Sequence, residues 1–281
     1  MCPAPSDVSA VVCTLNSINS IEACLASLSS AGVGQLVVVD GGSHDGSRQV
    51  AEIYADLVLE DPGVGLGTAR NLGILRTTGK FILNIGSDNV ISREALLLML
   101  DYLQKGAHHG VGAVTTVEGE TYLARCMNAW WSARFFPGSA RVIGTPSLFV
   151  GDMLRQHPYD LHRKHSDDSE LCERWSRDHG STFAISSALV KEVGKAQWSE
   201  VVMRCRNYGV SDFEVFRAGR DSGWSAKRQL SSVLHPLRVD LLLPMRRTKF
   251  PSWVTAFPFF AAFTFMRYWF WLRSAVGLRM S

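Results

Sequence analysis

The chain of 281 residues has no long uninterrupted apolar run. Its most apolar stretch, from Trp253 to Leu272, contains Pro258 and Arg267, and only 13 residues separate Ser252 from Met266. A spanning helix needs roughly 20 apolar residues, so a true membrane span is the weaker reading. Cysteine is sparse. Cys2, Cys13, Cys24, Cys126, Cys172 and Cys205 form no CxxC pair, which argues against a zinc site or a disulfide framework and for reduced thiols in the cytosol. The N-terminus lacks the basic and apolar pattern of a signal peptide. There is no internal repeat, no low-complexity segment and no large excess of one charge. The net +3 gives no ground for a nucleic-acid partner. The expected setting is cytoplasmic.

Core-forming material is present, with 46% hydrophobic residues. The charge is unevenly spread. Arg238, Arg246, Arg247, Lys249, Arg267, Arg273 and Arg279 face only Asp240 in the last 44 positions, so the preceding body is mildly acidic. Trp253, Phe257, Phe259, Phe260, Phe263, Phe265, Trp269, Phe270 and Trp271 make that basic tail aromatic as well. Such a segment suits the interface of an anionic membrane leaflet. A core or dimer helix is the competing reading.

Short apolar strands alternate with amphipathic helices over the first hundred residues. Val8 to Cys13, Leu36 to Val39, Leu57 to Leu59 and Phe81 to Ile85 read as strands. Helices carry Ile21, Cys24, Leu25 and Leu28, then Val50, Ile53 and Tyr54, then Leu72, Ile74 and Leu75. Ser17 or Asn19 is the expected cap of the first helix, and Ser92 of a helix over 93–104. This alternation predicts an α/β fold of the Rossmann type, a mixed, mainly parallel sheet with helices on both faces. Ligands of such sheets gather beyond the carboxyl ends of the strands. The fourth strand ends there in Gly86-Ser87-Asp88-Asn89. A carboxylate at that edge can hold a divalent cation beside a diphosphate; a turn followed by a helix cap is the plainer reading. The loop Gly63-Val64-Gly65-Leu66-Gly67 has the wrong spacing and position for a GxGxxG dinucleotide site. Its glycines are expected to let backbone pass close to a ligand. Arg70 follows on a helix, where it either reaches a nucleotide or makes a surface ion pair.

Three patterns then arrive in order: Val12-Cys13-Thr14-Leu15-Asn16, Val39-Asp40-Gly41-Gly42-Ser43-His44-Asp45-Gly46-Ser47, and Gly67-Thr68-Ala69-Arg70-Asn71-Leu72-Gly73-Ile74. With Gly79-Lys80-Phe81 and the Asp88 corner, the chain closely resembles a family 2 glycosyltransferase of the GT-A fold, strongly over about 7–100 and more weakly over about 140–240. The resemblance implies a nucleotide-diphospho-sugar donor held by Thr14, Leu15, Asn16, Asp40, Gly67, Arg70, Asn71, Ser87 and Asp88. Thr14 and Asn16 would line base and ribose. Asp40 would accept a hydrogen bond from the base, or merely cap the following helix. Asp88 would hold Mn²⁺ or Mg²⁺ on the diphosphate. One departure stands out. The family's metal corner usually reads Asp-x-Asp, and here Gly86 occupies the first position.

In the second half, Ser166-Asp167-Asp168-Ser169-Glu170-Leu171 carries acids suited to a helix N-terminus. The resemblance makes Asp168 the catalytic base, with Asp167 in the preceding acid's place and His165 a weaker candidate. It also makes His235 a second metal ligand; a structural hydrogen bond is the alternative. Trp130-Trp131 and the residues after them form either an acceptor-site wall or a core helix. A helix is expected to start at Ser211, with Asp212 and Glu214 in its first turn.

The domain reading is a GT-A domain over 1–240, divided into a nucleotide-sugar half (1–105) and an acceptor half (106–240), followed by a basic aromatic extension over 241–281. The implied function is inverting transfer of a sugar to an acceptor hydroxyl of a glycan or lipid-linked molecule, by an enzyme lying at the cytoplasmic face of a membrane. A non-catalytic relative that binds nucleotide sugar or a partner is the alternative, and a nucleotidyltransferase is a third. The last wants a phosphate-gripping loop after the first strand, which Thr14-Leu15-Asn16 does not supply.

Overall fold

The computed structural model describes residues 3–161, 167–249 and 251–277. His165 and Ser166 lie outside them. By contacts the chain divides into two compact units, 1–116 with 135–194 and 117–134 with 195–281. Residues 241–281, read above as a separate extension, share the second unit with 117–134 and 195–240.

The first unit opens with β1 (Val8–Thr14), α1 (Ile21–Ala31), β2 (Gln35–Asp40), α2 (Ser47–Tyr54), β3 (Leu57–Glu60), α3 (Leu66–Ile74) and β4 (Phe81–Gly86). A tight turn leads to β5 (Asn89–Ile91), then α4 (Arg93–Lys105) and β6 (Gly110–Val117). The helix α5 (Tyr122–Arg134) belongs to the second unit; β7 (Gly138–Ala140), β8 (Ser147–Val150), α6 (Gly151–Gln156), α7 (Asp167–His179) and β9 (Phe183–Glu192) return to the first. The spatial strand order is β3-β2-β1-β4-β8-β6-β9-β5, with β7 on β9. The pairs among β3, β2, β1 and β4 are parallel. Beyond β4 the sheet turns antiparallel at β8, and β8–β6, β9–β5 and β7–β9 are antiparallel too.

The strands read as unbroken apolar runs because both faces are covered. Val8, Ala10 and Val12 of β1 face one cluster with α1, α2 and α4, and Leu83 and Ile85 of β4 join them. Val11 and Ile82 face the other way, into a cluster with Ile74, Phe149, Tyr159, Leu171, Trp175 and Phe183. Helix ends follow local chemistry. Gly32 closes α1 in the left-handed region at φ 83°, and the Ser92 hydroxyl accepts from the Ala95 N–H at 3.1 Å. The cap of α1 is Ser20, not Ser17 or Asn19, and its side chain makes no capping bond.

The second unit adds α8 (Trp198–Asp221), α9 (Ala226–Val233), a π-helical turn (Leu237–Leu242), α10 (Leu243–Arg247) and α11 (Ser252–Ala275). Ser211 lies inside α8, so no helix starts there and Asp212 is not a first-turn acid. Its carboxylate instead takes two hydrogen bonds from Arg267, at 2.7 and 2.9 Å. Arg267 also donates to Asp240 at 2.6 Å, and Asp240 accepts from Arg134 at 3.1 Å and from Trp130 at 3.2 Å. Arg267 is therefore no surface cation, although its place in the basic tail suggested one. Trp130 is 1% exposed, so the core-helix reading of α5 holds. Pro258 does not break α11, which runs through it with Ala256, Phe259, Phe260, Phe263, Thr264 and Arg267 buried. A methyl group at Gly209 of α8 would fall on the Arg267 backbone carbonyl, so this glycine sets how closely α8 and α11 approach. Among the described residues no helix is long and apolar enough to cross a membrane.

Close packing of α3 on the sheet gives a stability prediction. A side chain at Gly73 would begin 2.5 Å from Val11 Cγ1 and 3.1 Å from Val39 Cγ2. Gly73→Val is expected to destabilise the protein by about 1–3 kcal/mol through overpacking, measured as a lower midpoint in urea unfolding.

Candidate active site

Parallel register sets the carboxyl ends of β2, β1 and β4 side by side, pairing Asp40 with Thr14 and Cys13 with Gly86. A strand end releases backbone and side chains from the ladder, so polar groups collect there. Asp40 is 1% exposed. Its Oδ2 accepts from the N–H groups of Gly42 and Ser43 at 3.1 and 3.0 Å, so it braces the turn after β2. The start of α2 is served by Asp45, which accepts from Ser47. The other oxygen of Asp40 and the Thr14 hydroxyl are buried without a partner among the described residues. An unpaired buried acceptor costs free energy unless a ligand meets it. Thr14 and Asp40 are register partners at the adjoining strand ends.

Leu15 and Asn16 leave β1 at the surface, Leu15 being 58% exposed. Asn16 adopts φ 49°, and its Oδ1 accepts from the His44 N–H at 3.0 Å while its own N–H donates to Ser43 Oγ at 2.9 Å. It ties the two loops together. Ser87 donates to Ser17 Oγ at 2.9 Å.

The Asp88 corner is a turn between β4 and β5; the helix expected after it begins only at Arg93. Asp88 is half-buried. A side chain at Gly86 would start 2.7 Å from Asp88 Oδ1 and 3.2 Å from Asn89 Oδ1. The space in which a first acid would begin is taken by the second. A side chain at Gly86 would require the Asp88 carboxylate to turn aside.

A cleft of about 190 Å³ opens here, lined by Cys13, Leu66, Arg70, Asn84, Gly86, Ser87, Asp88 and Thr145 among others. Arg70 is only 8% exposed. It donates to Asp167 Oδ2 at 2.6 Å, to Asp168 Oδ1 at 3.1 Å and to Thr145 Oγ1 at 2.7 Å, and it stacks over Tyr159 at 5.2 Å. It is not a surface ion pair. Burial opposes its charge, but the Asp168 and Asp167 carboxylates overcome this and hold its pKa above the usual value. One guanidinium is both a wall of the cleft beside Asp88 and the partner of Asp167 and Asp168.

Asp168 stands in the first turn of α7. Burial, together with the Asp167 charge and against the pull of Arg70, pushes its carboxyl up to about 6. Its side chain is still 23% exposed, so a solute can reach it. Asp167 does not sit outside the helix as a cap. It is the first helical residue, and its Oδ1 accepts from the Asp168 N–H at 3.1 Å.

Gly67 and Asn71 serve the 159–160 segment. Gly67 faces the Asp160 carbonyl, 3.4 Å from where its side chain would begin. Asn71 exchanges two hydrogen bonds with the Tyr159 backbone, at 2.8 and 3.0 Å. Sequence reasoning did not find a role for Tyr159 or Asn84. Asn84, a polar residue inside an apolar strand, was the one available signal.

The comparisons give the family and the fold. Residues 9–155, more than half of the chain, match the model described as glycosyl transferase family 2. The chain belongs to glycosyl transferase family 2. It is 34% identical over 89 residues to a PGL/p-HBAD biosynthesis glycosyltransferase of Mycobacterium tuberculosis, a match covering 29% of this chain and 35% of that one. It is 28% identical over 111 residues to the glycosyltransferase AglJ of Haloferax volcanii, covering 39% and 37%. The matches thus span about a third of the length of these relatives. Among solved structures, the mannosyltransferase PcManGT of Pyrobaculum calidifontis, in complex with GDP-Man and Mn²⁺, superposes with TM-score 0.62 at 17% identity, over 98% of this chain and 88% of that one. S. aureus TarS in complex with UDP-GlcNAc gives 0.54 at 15% identity, over 98% and 93%. At these identities the likeness establishes the GT-A fold alone.

A family 2 fold leaves the metal to be judged on this chain's own groups. Among the described residues there is no group of three His, Cys, Asp or Glu side chains that could hold an ion. Asp88 belongs to the first unit and His235 to the second. His235 is exposed at the surface; the surrounding protein and the Arg267 and Arg134 charges lower its pKa and favour the neutral ring. Mg²⁺-like ions commonly take one or two carboxylates and complete their shell with phosphate oxygens and water. Asp88 alone fits that pattern and not a protein cage.

Removing Arg70 leaves two neighbouring carboxylates without their cation. Arg70→Met is expected to lower stability by about 2–3 kcal/mol near pH 8, at the low end for a broken buried pair because the acids are partly exposed. The loss should shrink near pH 5, where Asp168 takes a proton. Thermal unfolding at both pH values checks this.

Proposed function

We propose that this family 2 glycosyltransferase moves a sugar from a nucleotide-diphospho-sugar to an acceptor hydroxyl with inversion of configuration, and that Asp168 is the base. The observation that carries the reading is the position of Arg70, which lines the cleft with Asp88 and binds Asp168 directly. A diphosphate placed beside Arg70 and Asp88 brings the anomeric carbon near Asp168. The nucleoside then lies over the ends of β1 and β2, where Asp40 Oδ1 and Thr14 Oγ1 await a polar partner. A hydroxyl is a poor nucleophile until a positioned carboxylate takes its proton. Asp168 receives that proton as the acceptor oxygen bonds to the anomeric carbon and the nucleoside diphosphate leaves from the opposite face. Arg70 supplies positive charge toward the departing diphosphate. A divalent cation, Mn²⁺ or Mg²⁺, would be held by Asp88 and would further neutralise that diphosphate. Neighbours of this fold solved with GDP-Man and Mn²⁺ and with UDP-GlcNAc support this class of donor.

The same proposal places the enzyme on a membrane surface, with a glycan or lipid-linked acceptor. On α11, Val254, Phe257, Phe265, Trp269 and Leu272 stay exposed at helical spacing, and Val276 continues them. This is the face opposite the buried Phe259, Phe260 and Phe263. Arg246, Arg247 and Lys249 are exposed just before the helix. An apolar stripe with basic residues at one end is complementary to an anionic bilayer.

With UDP-N-acetylglucosamine or GDP-mannose as donor and Mn²⁺ present, kcat/KM should rise with pH through about 6 as Asp168 ionises. Asp168→Asn should lower transfer by about 10²–10⁴-fold, and near-normal transfer by that variant would remove Asp168 from the chemistry. In flotation at low salt, the full chain should rise with phosphatidylglycerol vesicles and Phe265→Glu should rise less. Wild-type protein left wholly in the soluble fraction would exclude membrane attachment.

A further inference from the structure

Tyr159 is 2% exposed and is used by neither the donor nor the acceptor in the reaction proposed above. Its surroundings are unusually well determined. Asn71, on α3, holds both its backbone N–H and its carbonyl. Its ring lies under the Arg70 guanidinium. Its phenol oxygen accepts from Asn84 Nδ2 at 3.0 Å, and its hydroxyl lies 3.3 Å from Asp168 Oδ1. A phenol has a single proton. Because Asn84 donates to the oxygen, that proton is left for Asp168. Burial and the nearby Asp168 charge keep the phenol protonated by raising its pKa well above the ordinary value.

We propose that Tyr159 is a positioning residue for Asp168, itself held in place by Asn71 and Asn84. The inference rests on Asp168 being the base. Oδ1 of Asp168 already receives Arg70 and Tyr159. That leaves Oδ2, beside the backbone of Gly144, to take the acceptor's proton. Without the phenol, only Arg70 and the Thr145 backbone would hold the carboxylate, and Arg70 is also needed at the diphosphate. Tyr159 thus keeps the base aligned while Arg70 turns to the leaving group. Asn71 of the glycine-arginine motif acquires its role here, through the Tyr159 backbone.

The test is Tyr159→Phe in the full chain, which keeps the ring and both Asn71 bonds and deletes only the O–H. Two readouts are taken. The first is the titration of Asp168 by ¹³C NMR of aspartate-carboxyl-labelled protein, its signal assigned by its loss in Asp168→Asn. The second is the rate of UDP release from UDP-N-acetylglucosamine or GDP release from GDP-mannose with Mn²⁺ and water as the acceptor. The midpoint, about 6 in the parent, should move up by about one pH unit, and kcat should fall about tenfold, on the scale of one hydrogen bond to a charged group. The donor KM should not change. An unmoved midpoint overturns the proposal, as does an unchanged kcat or a loss confined to KM. If neither donor turns over, the midpoint decides alone. Asn84→Ala, which frees the phenol proton to turn away, should shift the midpoint in the same direction and serves if Tyr159→Phe does not fold. Asp168→Asn separates the two readings. Full activity in that variant refutes the base, whereas an inactive Asp168→Asn beside an unaffected Tyr159→Phe refutes the positioning role alone.

Discussion

Two carboxylates at consecutive positions, Asp167 and Asp168, share a single cation, and the site of the first unit depends on that arrangement. Placed together at the start of α7, they gain from the helix dipole but repel one another. Arg70 offsets that repulsion with contacts of 2.6 and 3.1 Å. One net negative charge remains in a largely desolvated place, so the pair keeps the capacity to take a proton near neutral pH. The guanidinium that steadies them also forms a wall of the cleft beside Asp88. Any anion entering the cleft therefore competes for the same cation. Entry of an anion and protonation of the acid pair are thereby linked by electrostatics.

The strand ends show the complementary feature, polar atoms left unsatisfied. Asp40 spends one oxygen on its own turn and leaves the other buried without a partner, next to the unpaired Thr14 hydroxyl. Such atoms are costly in an empty protein and useful with a ligand in place. At Gly86 the structure replaces a carboxylate with space, and Asp88 uses that space. The corner thus carries a single acid, Asp88, where the family usually has two.

The second unit solves a charge problem without leaving an open valence. Arg267 lies between Asp212 and Asp240, and Arg134 adds a second cation to Asp240. Both guanidiniums stack on Tyr208. With every charge matched, the cluster joins α5, α8, α11 and the π-helical turn into one body. It takes Arg267 out of the basic tail, and the outward stripe of α11 keeps the exposed apolar residues.

Local information was enough for much of this. Apolar runs bounded by glycine and polar corners marked β1 to β4 and their helices, because a strand buried on both faces must be apolar throughout. The ordered motifs around Thr14, Asp40 and Arg70 indicated the family, and with it the positions of Asp88 and Asp168. What the sequence could not show is which groups meet. That Arg70 binds Asp167 and Asp168, nearly a hundred residues away, follows from where α3 and α7 pack on the sheet. The same holds for Tyr159, whose role comes from Asn71, Asn84 and Asp168 converging on it, and for Asp212, read as a first-turn acid until α8 proved to run through Ser211. Periodicity and propensity act over a few neighbouring residues, so they are written in the sequence. The pairing of charges depends on which distant side chains share one desolvated volume, and only the tertiary packing decides that.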